Sequence, residues 1–230
     1  MDWLIDYYNW RIVSQYAGQF AAGLANTLIA AGASLALSVL AGIPLALARM
    51  SPRAPCWRPV AGYVQFVRAT PLLVQIYLVY YAVPMLIPGA KGWSEMALGI
   101  MAMTLHHAAY MSEIIRVGIE SVPRGQVEGA KACGMNYGQR LRYVVLPQAF
   151  ANTLPPLLGQ TAVLIKDTSL LSLITVFELV AAGVQMNSER IVPNESFLTI
   201  AAGYLLIYGV MLLLSRGVSL WLAGPAWNAR

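Results

Sequence analysis

Long uncharged runs alternate with short polar segments along the chain. The first run is the longest, because no residue between Ile12 and Ala48 carries a charge. A helix needs about 20 apolar residues to cross a membrane, and the pattern predicts five such spans. They lie at about 20–48, 60–83, 95–115, 143–165 and 197–221. The sequence therefore predicts an all-α membrane protein, with a transmembrane domain over 17–225 that follows a lead-in over 1–16.

One apolar region, from 143 to 186, is too long for a single span. Its charged residues are Lys166, Asp167 and Glu178. The pattern predicts a broken helix, with a break over 166–169 and a short helix over 170–182. Backbone that is not helical is tolerated at membrane depth only inside protein or beside water, so the break is a candidate transport path. In the alternative, the break lies just outside the bilayer and 170–182 is a surface helix.

Composition and charge agree with this architecture. Of the 230 residues 58% are hydrophobic and 11% are charged, whereas a soluble domain carries about 25% charged residues. The net charge of +5 comes from residues dispersed among the spans, which indicates membrane orientation rather than nucleic-acid binding. With five spans, the segments between them lie on opposite sides of the membrane in turn. Ten of the fifteen basic residues fall in the segments of one side. That side is predicted to be the cytoplasm, with the N-terminus outside and the C-terminus inside.

Cysteine usage gives no sign of a metal site. The two cysteines, Cys56 and Cys133, both fall in segments that the pattern assigns to the cytoplasm, and they are expected to be free thiols. The sequence holds no cysteine pair or cysteine–histidine cluster at metal-ligand spacing.

A polar stretch over 128–147 interrupts the apolar pattern. Glu128-Gly129-Ala130 is followed by Gly134, then after nine residues by Val144, and then by Leu146-Pro147. The preceding Pro123 and Gly125 break a helix, so Glu128 is predicted in the first turn of a new one. Gly134 weakens that helix and is expected to lie where it bends or ends. A short helix of this kind suits a groove on a partner; the alternative is an amphipathic helix lying on lipid headgroups.

The spacing of this stretch resembles the EAA loop of ATP-binding-cassette (ABC) importer permeases, with Gly129 and Val144 as mild departures. Further segments resemble the polar amino-acid uptake subgroup of that family. They are Arg68-Ala69-Thr70-Pro71-Leu72-Leu73-Val74-Gln75 with Ala69 in place of Gly, Ala108-Ala109-Tyr110 with Glu113-Ile114-Ile115-Arg116 and Gly118, Gly125-Gln126 with Glu128, Leu146-Pro147-Gln148-Ala149-Phe150, and Lys166-Asp167-Thr168-Ser169-Leu170. They occur in the family's order and at compatible spacing.

The resemblance implies the transmembrane subunit of an ATP-driven importer that moves a polar or charged amino acid across the bacterial inner membrane. The implied partners are a second permease chain, the same or related, two cytoplasmic ATPase subunits, and a periplasmic or lipid-tethered binding protein. The lead-in over 1–16 would be periplasmic. A coupling helix within the loop 116–142 would dock on the ATPase. The implied docking residues are Arg124, Gly125, Gln126, Glu128, Ala130, Gly134, Tyr137, Leu146 and Pro147.

The same resemblance implies that this chain is not an enzyme. It lacks the Gly-x-x-x-x-Gly-Lys-[Ser/Thr] phosphate loop, so ATP and Mg²⁺ would be held by the partner ATPase and no cofactor by this chain. The rival hypothesis is a carrier or channel driven by an ion gradient. Such carriers usually show internal repeats, and none is convincing here.

Each polar residue inside the spans has two interpretations, a structural role and a role in transport. A lone charge in lipid is costly, so Arg68 and Glu113 are predicted to form a salt bridge between helices, with contact to the substrate as the alternative. Five residues are candidates for the pathway or the substrate site: His107, Lys166, Asp167, Thr168 and Ser169. In the alternative, His107 is packed and hydrogen-bonded, and Lys166 and Asp167 neutralise each other. Glu178, Glu189 and Glu195 are expected in a solvated acidic loop on the outer side, with docking of the binding protein as the alternative.

Overall fold

A computed structural model describes residues 8–222, with the side chains of 8–217, and residues 1–7 of the predicted lead-in lie outside that range. The described residues form helices and connecting turns. The α-helices are α1 (Trp10–Gln15), α2 (Ala17–Arg49), α3 (Ala54–Ala69), α4 (Leu72–Leu86), α5 (Glu95–Glu120), α6 (Arg124–Ala132), α7 (Tyr137–Arg140), α8 (Leu146–Asp167), α9 (Leu179–Arg190) and α10 (Pro193–Leu222). Pro88–Ala90 and Thr168–Ile174 are 3₁₀-helices, and Leu141–Val145 is a π-helix.

Within residues 8–222, three helical stretches are long and apolar enough to cross a membrane, namely Ala17–Arg49, Tyr137–Ile174 and Pro193–Gly217. A fourth is added if α3 and α4, which are separated by a short bent break, count as one span. Helix α5 covers the predicted third span with 26 residues. It is not among the stretches that meet both criteria of length and apolar character, so its crossing stays a prediction.

The predicted second span, 60–83, is two helices rather than one. Helix α3 ends at Ala69 and α4 begins at Leu72. Thr70 between them is extended, with φ −116° and ψ 142°, because the ring of Pro71 clashes with a helical conformation at the residue before it. The Thr-Pro pair therefore ends one helix and allows a new direction for the next.

The predicted break over 166–169 is a change of helix type, and the true interruption lies further on. The α-helix ends at Asp167, but the chain continues as a 3₁₀-helix to Ile174. Thr175 then adopts a left-handed conformation with φ 65°. The predicted short helix 170–182 is displaced to α9, which begins only at Leu179. Its cap explains the shift, because the Glu178 carboxylate accepts hydrogen bonds from the backbone N–H groups of Val180 and Ala181, both at 2.9 Å.

The chain packs as two compact units, each with its own apolar contacts. Among described residues, the first unit comprises 8–34, 73–103 and 162–222, and the second comprises 35–72 and 104–161. The core of the first unit is Val13, Tyr16, Phe20, Leu179, Ala182, Met186 and Ile200. In the second unit, Val64 and Val67 of α3 pack on Ala109 of α5. The polar loop that carries the 128–147 motif belongs entirely to the second unit.

In the first unit, the segment before α9 is held by helices on two sides. The Asn26 amide donates to the carbonyl of Phe177 at 2.7 Å, and the Tyr204 hydroxyl donates to the Glu178 carboxylate at 3.0 Å. Glu178 is fully buried, and Glu195 is nearly so because its carboxylate accepts the backbone N–H of Asn9 at 3.1 Å. The expectation of a solvated acidic loop is therefore wrong for both, and Glu189 is the exposed member of the three.

Candidate functional site

Helix α6 is a short, mostly exposed helix at the centre of the polar loop. It begins after Pro123, which supplies an extended conformation with ψ 134°. Ala130 is the one buried residue of α6. Arg124, Gly125, Gln126 and Glu128 are all exposed. Glu128 lies in the second turn rather than in the predicted first turn, since no acidic residue occupies the first. The result is a polar, mostly solvent-facing helix that buries one small side chain and contacts α7 and the π-helix Leu141–Val145.

Gly134 ends α6 in a conformation that favours glycine. Its φ is +77°, and two hydrogen bonds close the helix around it. The Gly134 N–H donates to the carbonyl of Lys131 at 3.0 Å, and the Met135 N–H donates to the carbonyl of Ala130 at 3.1 Å. This pair of bonds is the Schellman motif. The motif's Gly is therefore needed to stop the helix, which confirms the expectation that the helix ends near Gly134.

The chain restarts a helix two residues later through a reciprocal cap. The Asn136 side chain accepts the Gln139 N–H at 3.0 Å, and the Gln139 side chain accepts the Asn136 N–H at 2.9 Å. This capping box satisfies two backbone donors that a helix start leaves unpaired. The Arg140 guanidinium also donates to the carbonyl of Met135 at 2.7 Å. The connection from α6 to α7 is therefore a defined corner rather than a loose loop.

The Leu146-Pro147 pair lies inside a continuous helical stretch that starts at Tyr137. Pro147 has no N–H for a bond to the carbonyl of residue 143, and its ring crowds that carbonyl. The stretch before it, Leu141–Val145, is a π-helix whose wider turn gives the proline room. Tyr137 and Leu146 project outward, with 72% and 48% of their surface exposed. The motif thus ends by feeding α7 directly into α8.

Glu113 binds two arginines, and neither is the predicted partner. Its carboxylate accepts Arg49 Nε at 3.1 Å and Arg116 Nη2 at 2.8 Å. Helix α2 supplies Arg49 because it lies along α5, as the bond from the Ser38 hydroxyl to the carbonyl of Thr104 shows. The predicted salt bridge between Arg68 and Glu113 is therefore corrected. Arg49 ends the long helix α2 and belongs to the basic residues that the sequence assigns to the cytoplasmic side, so the sequence pattern indicates orientation and not this pairing.

Arg68 and Glu113 nevertheless line one cavity of about 700 Å³ within the second unit. The lining is Arg68, Tyr110, Glu113, Ile114, Val117, Gly118, Ser121, Asn152, Pro156 and Gln160. Arg68 is exposed, whereas Glu113 is already engaged by two guanidinium groups. The cavity wall therefore carries an arginine charge that Glu113 does not neutralise.

The candidate pathway residues fall in different units. His107, in the second unit, is fully buried, and the Gln160 amide nitrogen lies 3.1 Å from its Nδ1. Lys166, Asp167, Thr168 and Ser169 belong to the first unit at the junction of α8 with the 3₁₀-helix. Lys166 is exposed there, whereas Thr168 is fully buried and its hydroxyl donates to the carbonyl of Ile165 at 2.7 Å. The packed, hydrogen-bonded reading of His107 thus agrees with its contacts.

Comparison with known proteins identifies the architecture. Residues 16–223 match the family model described as the binding-protein-dependent transport system inner membrane component. The nopaline transport system permease protein of Agrobacterium fabrum is 37% identical over 218 residues, covering 91% of this chain and 89% of that relative. The octopine transport system permease protein of Rhizobium meliloti is 38% identical over 193 residues, covering 80% of this chain and 78% of the relative.

Solved structures show the same arrangement of helices. A crystal structure of an amino acid ABC transporter with histidines superposes with a TM-score of 0.82 at 31% identity, covering 90% of this chain and 95% of the other. The MetNI methionine ABC transporter in an inward-facing form shares the fold alone, with a TM-score of 0.71 at 15% identity. The chain therefore belongs to the family of binding-protein-dependent transport system inner membrane components, the membrane-spanning permease subunits of ABC importers.

Proposed function

We propose that this permease carries an amino acid, or an amino-acid derivative with a polar or charged side chain, across the bacterial inner membrane at the expense of ATP. The observation that carries the proposal is the short exposed helix α6, ended by Gly134 and set between segments that read as spans. The names of the matched relatives, which include nopaline and octopine permeases, support the substrate class. The alternative of an ion-gradient carrier finds no support among the matches.

In this proposal, α6 is the coupling helix that docks in a groove of the ATPase. Arg124, Gly125, Gln126 and Glu128 offer polar contacts, and Tyr137 beside the helix offers an exposed aromatic one. ATP and Mg²⁺ are held by the ATPase, so this chain contributes no catalytic group and binds no cofactor. Closure of the ATPase pair moves α6 as a rigid body, and that movement alternates access to the path.

The complex requires further chains, which the proposal specifies. Family membership implies an ATPase and a binding protein as partners. We assign two ATPase subunits, a second permease chain that is identical or related, and a periplasmic or lipid-tethered binding protein. The predominance of basic residues on the side of α6 supports a cytoplasmic C-terminus and an external N-terminus.

Candidate polar groups for the substrate path are proposed for each unit separately. In the first unit these groups are Lys166, Asp167, Thr168 and Ser169, and in the second unit they include His107. Arg68 adds a guanidinium at the cavity wall, where two parallel N–H groups can bind the carboxylate of an amino acid. This role for Arg68 becomes available because Glu113 is committed to Arg49 and Arg116.

Reconstitution into proteoliposomes tests the proposal. The chain is expressed with its genomic neighbours, the complex is reconstituted with ATP enclosed, and labelled amino acids are added with the binding protein. Uptake is expected to require both ATP and the binding protein. Uptake that instead follows an imposed ion gradient in the absence of ATP contradicts the proposal.

A Gly134→Glu variant tests the docking role in the same assay. It is expected to insert in the membrane and to lose uptake, because a bulky acidic side chain occupies the end of the docking helix. Gly92→Glu is the matched control, since an added Cβ there meets no atom within 4 Å and the loop is predicted to lie outside. Full uptake by the Gly134→Glu complex would show that α6 does not couple.

A further inference from the structure

The helices on either side of the polar loop are joined at its base by hydrogen bonds. Ser121 follows α5, and Asn152 lies in the second turn of α8, 31 positions further along the chain. The Asn152 amide donates to the Ser121 hydroxyl at 2.9 Å, and that hydroxyl donates to the carbonyl of Gly118 at 2.8 Å. One hydroxyl therefore links the end of α5 to α8.

The same two helices touch at Gly118 and Thr153 without space for a side chain. A Cβ placed on Gly118 would lie 1.8 Å from Thr153 Oγ1, 3.0 Å from its Cβ and 3.3 Å from the carbonyl oxygen of Ala149. The Thr153 hydroxyl is buried and donates to that same carbonyl at 2.6 Å. An added methyl group would fit only if the Thr153 hydroxyl turned and lost its bond or the two helices moved apart. Contact between these helices thus depends on glycine at 118.

Helix α6 buries little of its own surface against the rest of its unit. Ala130 is its one buried residue, and both of its ends are corners at Pro123 and Gly134. If α5 and α8 were not held together, a displacement of α6 would only tilt α6 and would not be passed to these two helices. Tightly packed interfaces pass small displacements on, because they are not continuously deformable.

We propose that Gly118, Ser121, Asn152 and Thr153, here called the clasp, are positioning residues for energy coupling. The clasp holds α5 and α8 together at the base of the loop, so that displacement of α6 is passed to both helices at once. This inference rests on the proposed docking of α6 on the ATPase. It assigns the clasp no contact with ATP and no role in binding the ATPase.

The ratio of substrate transported to ATP hydrolysed tests the clasp. Gly118→Ala inserts a methyl group into the contact and is expected to leave the complex assembled and hydrolysing ATP. Transport per ATP is expected to fall about tenfold, within the range of coupling between linked sites. Gly159→Ala is the matched control, because it lies on α8 with no atom within 4 Å of its added Cβ. It is expected to keep the wild-type ratio.

A size swap separates the clasp from a general packing defect. In Gly118→Ala/Thr153→Gly the side chain that opposes the new methyl group is removed, and most of the lost ratio is expected to return. Such non-additivity is the signature of two residues that act through one contact. A wild-type ratio in Gly118→Ala overturns the proposal, and so does a double variant no better than the single one.

Asn152→Ala keeps the test decisive if Gly118→Ala does not assemble. Asn152 is exposed, so its truncation removes the link to Ser121 without opening a core. A smaller fall in transport per ATP is expected, and an unchanged ratio overturns the proposal. The outcomes also separate the two proposals. If wild-type complexes show ATP-driven uptake and clasp variants keep their ratio, the clasp alone fails; if wild-type uptake ignores ATP, the coupling role fails with it.

Discussion

Gly134 shows how one backbone angle sets the end of α6, the proposed docking helix. Its positive φ is what the two closing hydrogen bonds of α6 require. An added Cβ meets no atom within 4 Å, so a substitution there is limited by conformation rather than by space. A left-handed conformation costs a residue with a Cβ roughly 1–2 kcal/mol, and asparagine tolerates it better than most.

This distinction predicts an order among small substitutions at 134. Gly134→Asn is expected to keep more ATP-driven uptake than Gly134→Ala, although asparagine is the larger residue. If side-chain size alone decided the uptake, Gly134→Ala would keep more uptake than Gly134→Asn. Initial uptake rates of the two reconstituted complexes, normalised to the amount of permease, give the comparison. Better uptake with alanine would mean that α6 can end without the left-handed residue.

Glu113 illustrates the limit of residue-level prediction from the sequence. A charge within a span needs a partner, and that reasoning correctly predicts that Glu113 is paired. It selects the wrong arginine, because the partner depends on which helices lie side by side. Arg49 is 64 positions away and reaches Glu113 through the packing of α2 along α5. Hydropathy gives the spans but not their neighbours, so the pair could not be derived from the sequence alone.

The ion pairs of α5 predict a contrast between two glutamates. Glu113→Gln leaves Arg49 and Arg116 facing each other, and the glutamate side chain is only 17% exposed. It is expected to destabilise the permease by about 1–3 kcal/mol. Glu120→Gln alters a pair in which the carboxylate is 47% exposed, and its cost is expected to stay below about 1 kcal/mol. Thermal unfolding in detergent compares them, and equal losses would contradict the assignment.

At the scale of elements, the start of α9 depends on one buried acid. The Glu178 carboxylate accepts two backbone N–H groups and the Tyr204 hydroxyl. Glu178→Ala leaves these donors without their acceptor, at an expected cost of about 2–4 kcal/mol. Glu178→Gln keeps one acceptor oxygen and is expected to lose about half as much. Limited proteolysis and thermal unfolding measure both variants. A loss no greater than that of an exposed control, Glu189→Ala, would refute the role of the cap.

The elements that the sequence predicts well are those set by length and polarity. The helix over 20–48 is observed as Ala17–Arg49, and a short helix in the polar loop is observed as Arg124–Ala132. The errors occur where the pattern of polar and apolar residues carries no information about the backbone conformation. Hydropathy does not distinguish α from 3₁₀ geometry. It predicts the end of the α-helix near 166–169, but not the 3₁₀-helix that continues to Ile174 before the turn at Thr175. The Thr70-Pro71 pair ends α3 inside the predicted span 60–83, because hydropathy over that apolar run does not register a proline break.

At the scale of the whole molecule, the docking helix, the clasp and the cavity lie in one compact unit, whereas the segment capped by Glu178 lies in the other. The sequence motif correctly marks the loop and its glycine. It does not reveal Ser121 and Asn152 as a pair, because a hydrogen bond across 31 positions leaves no local signature. The family resemblance therefore marks the loop, whose docking role stays a prediction, but it does not reveal the contacts behind it.

The two fixed ends of α6 also give the helix a defined length. Pro123 starts the helix and Gly134 stops it, so α6 has nine residues and measures about 13 Å at 1.5 Å per residue. A partner groove can be matched to that length in advance. With length held constant, discrimination between one ATPase and another rests on side-chain chemistry at the exposed positions. Under the proposed docking, a permease of this kind can therefore pair with a different ATPase through a few surface substitutions on α6, without a change in the length or the ends of the helix.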